Sequence, residues 1–361
     1  MKVALVHDWL VHMRGGEKVL DALAELYPDA VVYTLFSDKK RLSARLQART
    51  IKNSFLQYFP GVRHYYRWLL PLMPFAVRSL KIRDADLVLS SSHCVAKGVR
   101  VPAGARHVCY CHTPMRYLWG FQDVYFSRYL APVRFLIRVL MAPLRAWDLR
   151  VNAGVDLFIA NSEYIRERIR RVYGRDAVVV HPPLDADRYT PGGPKENYFL
   201  AVSHFVPYKR LDIVIEAFNA LDRKLIVIGS GPLESHYKKL RGSDRIFFWG
   251  GVSDAALRDA YGRARALIFP AEEDFGIVPL EAQSCGTPVI AFGKGGSLET
   301  VKSGVFFDAQ TPEAVREAVA RFEQGMYDPG AVAAKVRGFA RDQFLKRMRA
   351  AIAGFRASHT D

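Results

Sequence analysis

Twice along this chain, short unbroken apolar runs recur with room for a helix between successive runs. The first series is 2–7, 31–35, 86–91, 106–111, 156–160 and 177–181; the second is 198–203, 224–229, 245–249, 265–269, 288–292 and 304–307. Runs of Val, Ile, Leu and Phe without polar alternation suit parallel strands covered on both faces. With helical patterns between them, they predict two doubly wound α/β domains. A chain of 361 residues exceeds one ordinary core and fits two. Between the series, Pro182-Pro183-Leu184-Asp185 through Pro191-Gly192-Gly193-Pro194 is dense in breakers and reads as a hinge. The expected domains are 1–181 and 195–335, followed by a helical C-terminal segment, 336–361; the helical pattern itself spans 331–356.

The most specific stretch is Phe269-Pro270-Ala271-Glu272-Glu273-Asp274-Phe275-Gly276-Ile277-Val278-Pro279-Leu280-Glu281-Ala282. It follows the strand-like Ala266-Leu267-Ile268-Phe269 and turns helical after Gly276, which puts Glu273 in a strand-to-helix loop and Glu281 about two turns further on. A helix starting there aims unpaired N–H groups and its positive dipole end into the loop, where an anion can bind. The two carboxylates can accept hydrogen bonds from neutral hydroxyls. A sugar nucleotide offers both chemistries, although acids near a helix start can also be plain dipole-compensating surface residues.

Net charge is +16, and it is unevenly placed. Residues 51–150 hold 15 Lys or Arg against 4 Asp or Glu, a net of +11. That half should meet something anionic: nucleic acid, a membrane surface or a phosphorylated substrate. Residues 51–83 interleave Tyr65, Tyr66, Arg67, Trp68, Leu69 and Leu70 with Arg78, Lys81 and Arg83, and Arg134, Arg138 and Arg145 share one helical face further on. As a set these predict a monotopic, membrane-facing surface rather than a nucleic-acid site. Pro143 should kink or end the helix that carries Arg134, Arg138 and Arg145. No apolar run reaches the ~18–20 residues of a bilayer span. The opening Met1-Lys2-Val3-Ala4-Leu5-Val6 reads as a strand rather than a signal peptide, so a cytoplasmic protein is expected. Cys94, Cys109, Cys111 and Cys285 match no disulfide or zinc spacing and read as reduced core thiols. Asp84-Ala85-Asp86 leads into a strand and Asp185-Ala186-Asp187 lies in the hinge, so neither is placed to hold a metal on a diphosphate, and no metal is expected.

Glu273 and Glu281, with seven residues and a Phe-Gly between them, resemble the E-x7-E motif of retaining GT-B glycosyltransferases of family 4. Ala282, Gly286-Thr287-Pro288-Val289-Ile290 and Gly295-Gly296 with Glu299 continue that pattern. His7-Asp8-Trp9-Leu10, Arg14-Gly15-Gly16-Glu17-Lys18 and His112-Thr113-Pro114-Met115-Arg116-Tyr117 resemble the O-antigen or exopolysaccharide mannosyltransferase subgroup, and Asn161-Ser162-Glu163 also fits the family. The resemblance implies a GT-B fold of two Rossmann-like domains facing a cleft, with the C-terminal helix crossing back to the first.

It implies roles as well. Gly15 and Gly16 face the donor's phosphates or sugar, and His112 lies beside the transferred sugar near the reacting carbon. Glu281 holds the ribose hydroxyls and Glu273 the sugar's. Lys209, with the helix N-terminus formed by Phe275, Gly276, Ile277 and Val278, holds the diphosphate. Gly229, Gly250 and Val252 frame the base. The family usually places an Arg and a Lys five residues apart here; Lys209 matches the Lys, but His204 stands at the Arg, which shifts the phosphate clamp toward Lys209 or Arg210. Arg116 is expected near acceptor or phosphate, with Arg67, Trp68, Arg134 and Arg138 on the acceptor and membrane side. The expected donor is GDP-mannose, with no further cofactor. The expected acceptor is a polyprenyl-diphosphate-linked saccharide at the cytoplasmic face of the inner membrane. In a same-face mechanism the leaving phosphate helps deprotonate the acceptor hydroxyl. Three rivals remain: a sugar-nucleotide epimerase, separated by products made without acceptor; an NAD-dependent oxidoreductase, weakened by the lack of Gly-x-Gly-x-x-Gly; and a non-catalytic basic binding module. A donor carrying UDP or another base is a further alternative.

Overall fold

A computed structural model of the chain describes residues 1–120 and 131–358, apart from the side chains of 131–133 and 135–138. It divides into two compact units, Met1–Pro183 with Asp342–Asp361, and Leu184–Arg341. The first unit is a seven-stranded parallel sheet in the order β3-β2-β1-β4-β5-β6-β7. Its strands are β1 (Val3–His7), β2 (Val31–Thr34), β3 (Ile51–Asn53), β4 (Leu87–Ser92), β5 (Arg106–Cys111), β6 (Leu157–Ala160) and β7 (Ala177–Val179). Every apolar run of the first series is a strand. The unexpected β3 is a short edge strand whose three residues are all partly or fully exposed, so it leaves no apolar run to read.

Side chains alternate between the faces, as the pleat requires. Ala4 and Val6 enter one core with Tyr33 and Val88, while Leu5 enters the other with Val32, Leu87 and Leu89. Cys109 and Cys111, two apart, pack together against Phe158, and all four cysteines are free and buried. The helix Arg341–Ala357 covers the second face with Phe344, Met348, Ile352 and Phe355.

The second unit is a six-stranded parallel sheet in the order β10-β9-β8-β11-β12-β13. Its strands are β8 (Tyr198–Val202), β9 (Lys224–Ile228), β10 (Ile246–Gly250), β11 (Ala266–Phe269), β12 (Val289–Phe292) and β13 (Gly304–Phe307). Both units are thus doubly wound α/β, and in each the strand order reverses once, between β1 and β4 and between β8 and β11. Ligands of such sheets bind at the carboxyl ends of the strands beside that reversal.

The structure refines three local expectations. The breaks between units fall at Leu184 and after Arg341, because Leu184, Tyr189, Val336 and Phe339 are buried in the second unit's core. The segment 331–356 is interrupted: Phe339 gives its carbonyl to Leu184 N–H at 2.8 Å, around Gly338, before the next helix starts at Arg341. Pro143 does not end its helix, which runs Ala131–Val151. The residue whose carbonyl it leaves without a donor, Val139, is half exposed, so water can supply the missing bond.

Candidate active site

In the second unit, Gly276 begins the helix Ile277–Ser284 at φ 91°, a left-handed conformation that favours glycine. No side chain caps this helix and no acid occupies its first turn, so its N-terminus keeps its positive character. The loop before it is held from behind by Gly295-Gly296. Gly296 N–H donates to Glu273 O at 2.8 Å, and a Cβ on Gly296 would lie 2.3 Å from Phe275 O. That close approach is why two glycines stand there.

Glu273 is carried by this loop and Lys209 by the turn Pro207–Lys209 after β8, and the two form an ion pair with only 14% and 17% of their side chains exposed. Lys209 also lines a small crevice with Ser203, Ile268, Pro270 and Ala271, at the ends of β8 and β11. The structure therefore joins the Lys and the Glu of the two sequence motifs at the strand-order reversal. Phe275 is buried and packs on Phe339 with ring centroids 6.0 Å apart, while Ile277 and Val278 are half-buried on the same core.

Glu281 sits deeper than its proposed partner, a ribose, suggests. It is 7% exposed and accepts from Tyr261 Oη at 3.3 Å. Burial, and then the neighbouring Glu281 carboxylate, raise the pKa of both Tyr189 and Tyr261, so these hydroxyls stay protonated as donors to it. Sequence spacing located the acid but not these tyrosines, which lie 92 and 20 residues away.

Arg210 takes the left-handed conformation, φ 50°, alone among the described non-glycine residues. The turn aims its guanidinium at Asp212, 3.1 Å away, and at Gln310 O, 3.3 Å away. Its fork is thus engaged within the protein. His204 is exposed, and its Nδ1 lies 2.7 Å from Ser230 O; since a carbonyl only accepts, that nitrogen carries the hydrogen. Gly229 N–H donates to Gly250 O at 2.9 Å, tying the loops after β9 and β10, and Val252 follows half-buried.

In the first unit the expected residues gather at the reversal between β1 and β4. His112 follows β5, and its Nε2 lies 2.8 Å from Ser91 Oγ at the end of β4. Asn161 Nδ2 donates to the His112 carbonyl at 2.9 Å, while Ser162 caps the helix Glu163–Tyr173, which accounts for that motif. Gly16 approaches both imidazoles: a Cβ there would lie 3.4 Å from His7 Cε1 and 3.6 Å from His112 Nε2. Gly15 has open space beside it, at the start of the helix Gly15–Leu26. Glu17, in the first turn of this helix, accepts from the N–H of the N-cap residue Arg14 at 3.1 Å, and burial raises its pKa.

Three residues join this cluster without a role having been read from sequence: His7 and Asp8, which belong to the opening motif, and His93, which was not singled out. His7, ending β1, lies 3.1 Å from Ser91 Oγ through Nδ1, and His93 Nδ1 lies 3.0 Å from the buried Asp8. Asp8 accepts from the N–H groups of His93, Cys94, Val95 and Ala96 at 2.6–3.0 Å, which makes it the staple of the turn after β4. The available signal was polar: Ser90-Ser91-Ser92-His93 ends an otherwise apolar, fully buried strand. Burial, then the neighbouring His93, lowers the pKa of both His7 and His112 to about 3, so both are neutral at physiological pH.

Elsewhere in the first unit, Trp68 is 82% exposed beside Arg67, with Tyr58 at 85% and Phe75 at 69%. They ride on separate short helical segments, Phe55–Tyr58, Tyr66–Leu72 and Met73–Arg78, rather than on one amphipathic helix. Arg116 and Arg134 are partly buried, and Arg145 stacks over Trp119 at 5.9 Å. Arg138 lies outside the described side chains. Among the described residues, no helix is long and apolar enough to cross a membrane. Asp84 pairs with Lys2, and Asp185 lies 3.8 Å from Arg341.

Comparison with known proteins places two families in succession on this chain. Residues 13–188 match the model described as Glycosyltransferase Family 4, and residues 188–332 that described as Glycosyl transferases group 1. A GDP-mannose-dependent alpha-(1-6)-phosphatidylinositol monomannoside mannosyltransferase of Mycobacterium tuberculosis is 30% identical over 205 residues, 47% of this chain and 53% of that protein. A D-inositol 3-phosphate glycosyltransferase of Mycolicibacterium smegmatis is 32% identical over 189 residues, 45% and 44% of the two chains. The chain thus spans about half the length of these relatives. Among solved structures, a sucrose-phosphate synthase from Thermosynechococcus elongatus superposes with a TM-score of 0.71 at 17% identity, covering 99% of this chain and all of that one. Anabaena HepE in complex with UDP superposes with 0.69 at 16%, covering 98% and 100%. At such identities the structures establish the shared fold.

Proposed function

We propose that this chain, in which a match to Glycosyltransferase Family 4 is followed by one to Glycosyl transferases group 1, is a glycosyltransferase of GT-B fold that transfers mannose from GDP-mannose, with retention, to a lipid-linked glycan. The observation that carries the reading is the meeting of Lys209, Glu273 and the uncapped start of the helix Ile277–Ser284 at one strand edge. A diphosphate needs a cation and backbone donors; a hexose needs a carboxylate for its hydroxyls. These three groups supply both within reach of one another.

As the glycosidic bond breaks, negative charge grows on the leaving diphosphate, and Lys209 with the helix dipole stabilises it. Glu273, freed from Lys209 by the phosphate, accepts from sugar hydroxyls. Glu281 orients the ribose, His112 and the Gly15-Gly16 turn serve the transferred sugar, and the leaving phosphate takes the proton of the acceptor hydroxyl. Mannose rests on the GDP-mannose dependence of the mycobacterial relative and on the subgroup motifs. The membrane face rests on the exposed Trp68 and Phe75 among basic residues, and the lipid-linked acceptor and a cytoplasmic, peripheral location on the family resemblance together with that face.

Thermal stabilisation by GDP, UDP, ADP, dTDP and their sugar conjugates, with and without magnesium, tests it, because a ligand of the native state raises the midpoint. A shift with GDP compounds alone, independent of metal, is expected. A shift with UDP compounds alone replaces the donor and keeps the enzyme class. No shift with any nucleotide overturns the reading.

A further inference from the structure

The ends of β1, β4 and β5 carry a row of three side chains, His7, Ser91 and His112, whose hydrogen count constrains His112. Ser91 Oγ lies 3.1 Å from His7 Nδ1 and 2.8 Å from His112 Nε2. A hydroxyl has a single hydrogen, so it donates to one imidazole and accepts from the other. Both rings are neutral, so each carries one N–H. Two arrangements remain. In one, Ser91 donates to His7, accepts from His112 Nε2–H, and leaves the His7 hydrogen on Nε2. In the other, His7 Nδ1–H donates to Ser91, Ser91 donates to His112 Nε2, and the His112 hydrogen sits on Nδ1.

His7 Nε2 decides between them. It is buried and has no hydrogen-bond partner among the described residues. The first arrangement puts an N–H there, and an orphaned buried N–H is the rarest kind of unpaired polar group. The second leaves only an unused lone pair. One residue along β4 the same device recurs without ambiguity. His107 Nδ1 faces Gly154 O at 3.0 Å, so it carries the hydrogen, and Ser90 Oγ, 2.8 Å away, must donate to His107 Nε2.

We propose that Ser91, and through it His7, are positioning residues for His112, holding its ring with Nε2 as acceptor and Nδ1–H as the donor available to a substrate. This inference rests on the reading of His112 as a group beside the transferred sugar. It makes that imidazole a neutral hydrogen-bond donor to a sugar oxygen rather than a base. A donor suits an oxygen-rich ligand, and it needs no proton transfer to act.

The test is long-range 1H–15N spectroscopy of the full chain with labelled histidines, without ligand, His112 being assigned by its loss in His112→Gln. His107 serves as the internal standard for a ring protonated on Nδ1. We expect His112 to show the same pattern. Ser91→Ala should abolish that preference and lower kcat about tenfold with little change in KM for the nucleotide sugar, the loss of about one hydrogen bond. Ser91→Thr should restore both. A hydrogen on Nε2 of His112 in the unaltered protein overturns the inference even if the variants fail to fold. So does an unchanged tautomer and kcat in Ser91→Ala. Nucleotide titration separates this from the functional reading: absence of binding defeats the reading and leaves the tautomer result standing.

Discussion

Lys209 and Glu273, 64 residues apart in sequence, form a largely buried ion pair at the carboxyl ends of β8 and β11. Each neutralises the other's desolvation, so removal of either leaves a charge poorly solvated. A diphosphate at this place exchanges one anionic partner of Lys209 for another.

Lys209→Ala should therefore weaken nucleotide-sugar binding about 10- to 100-fold, roughly 1.4–2.7 kcal/mol, as a charge-assisted contact does. Lys209→Arg should keep most of the affinity. Calorimetric titration of both variants measures this, and wild-type affinity in Lys209→Ala removes the residue from the donor site.

Gly296→Ala tests the scaffold behind Glu273. The φ of Gly296, −64°, is open to alanine, so the cost is the collision with Phe275 O rather than backbone strain. Overpacking of this kind costs about 1–3 kcal/mol. Lower stability together with weaker donor binding is expected. Loss of stability with full affinity would show that the 273–276 loop keeps its shape without the glycine.

Stability should fall as pH drops below neutrality, because His7 and His112 fold as neutral rings. Their folded pKa of about 3 lies below the ordinary 6.5, so between those values the unfolded chain binds the extra protons. Each ring contributes stability that is full above about 6.5 and declines by about 1.4 kcal/mol per pH unit below it, down to about 3. Denaturant unfolding from pH 7 to 4 should show a shallower decline in His112→Gln than in the unaltered protein. Parallel slopes would mean that His112 is solvated.

Trp68→Ser with Phe75→Ser should lower binding to vesicles containing anionic lipid by at least tenfold, since two exposed aromatics lose their interfacial insertion. Nucleotide binding should be unchanged. Equal vesicle binding, or binding to neutral vesicles alone, would move the membrane face elsewhere.

Much of this was legible in local pattern. Apolar runs mark strands because a parallel sheet is covered on both faces, and twelve such runs became strands; the exposed edge strand Ile51–Asn53 has no such run and stayed hidden. Glu273, Gly276 and Glu281 are recognisable because a strand, a glycine turn and a helix must follow one another within a few residues. Other features depend on residues far apart. Nothing near Arg210 in sequence says that its guanidinium reaches Gln310, or that Tyr261 caps Glu281.

The chain's own order therefore determined the two doubly wound sheets and the strand ends that carry the site, because periodicity and turn chemistry act over a few residues. Tertiary structure alone decided the pairing of Lys209 with Glu273, the burial of Glu281 and the His7–Ser91–His112 row. Each of these depends on which strands lie side by side, and β1 meets β4, and β8 meets β11, only once the sheets have formed.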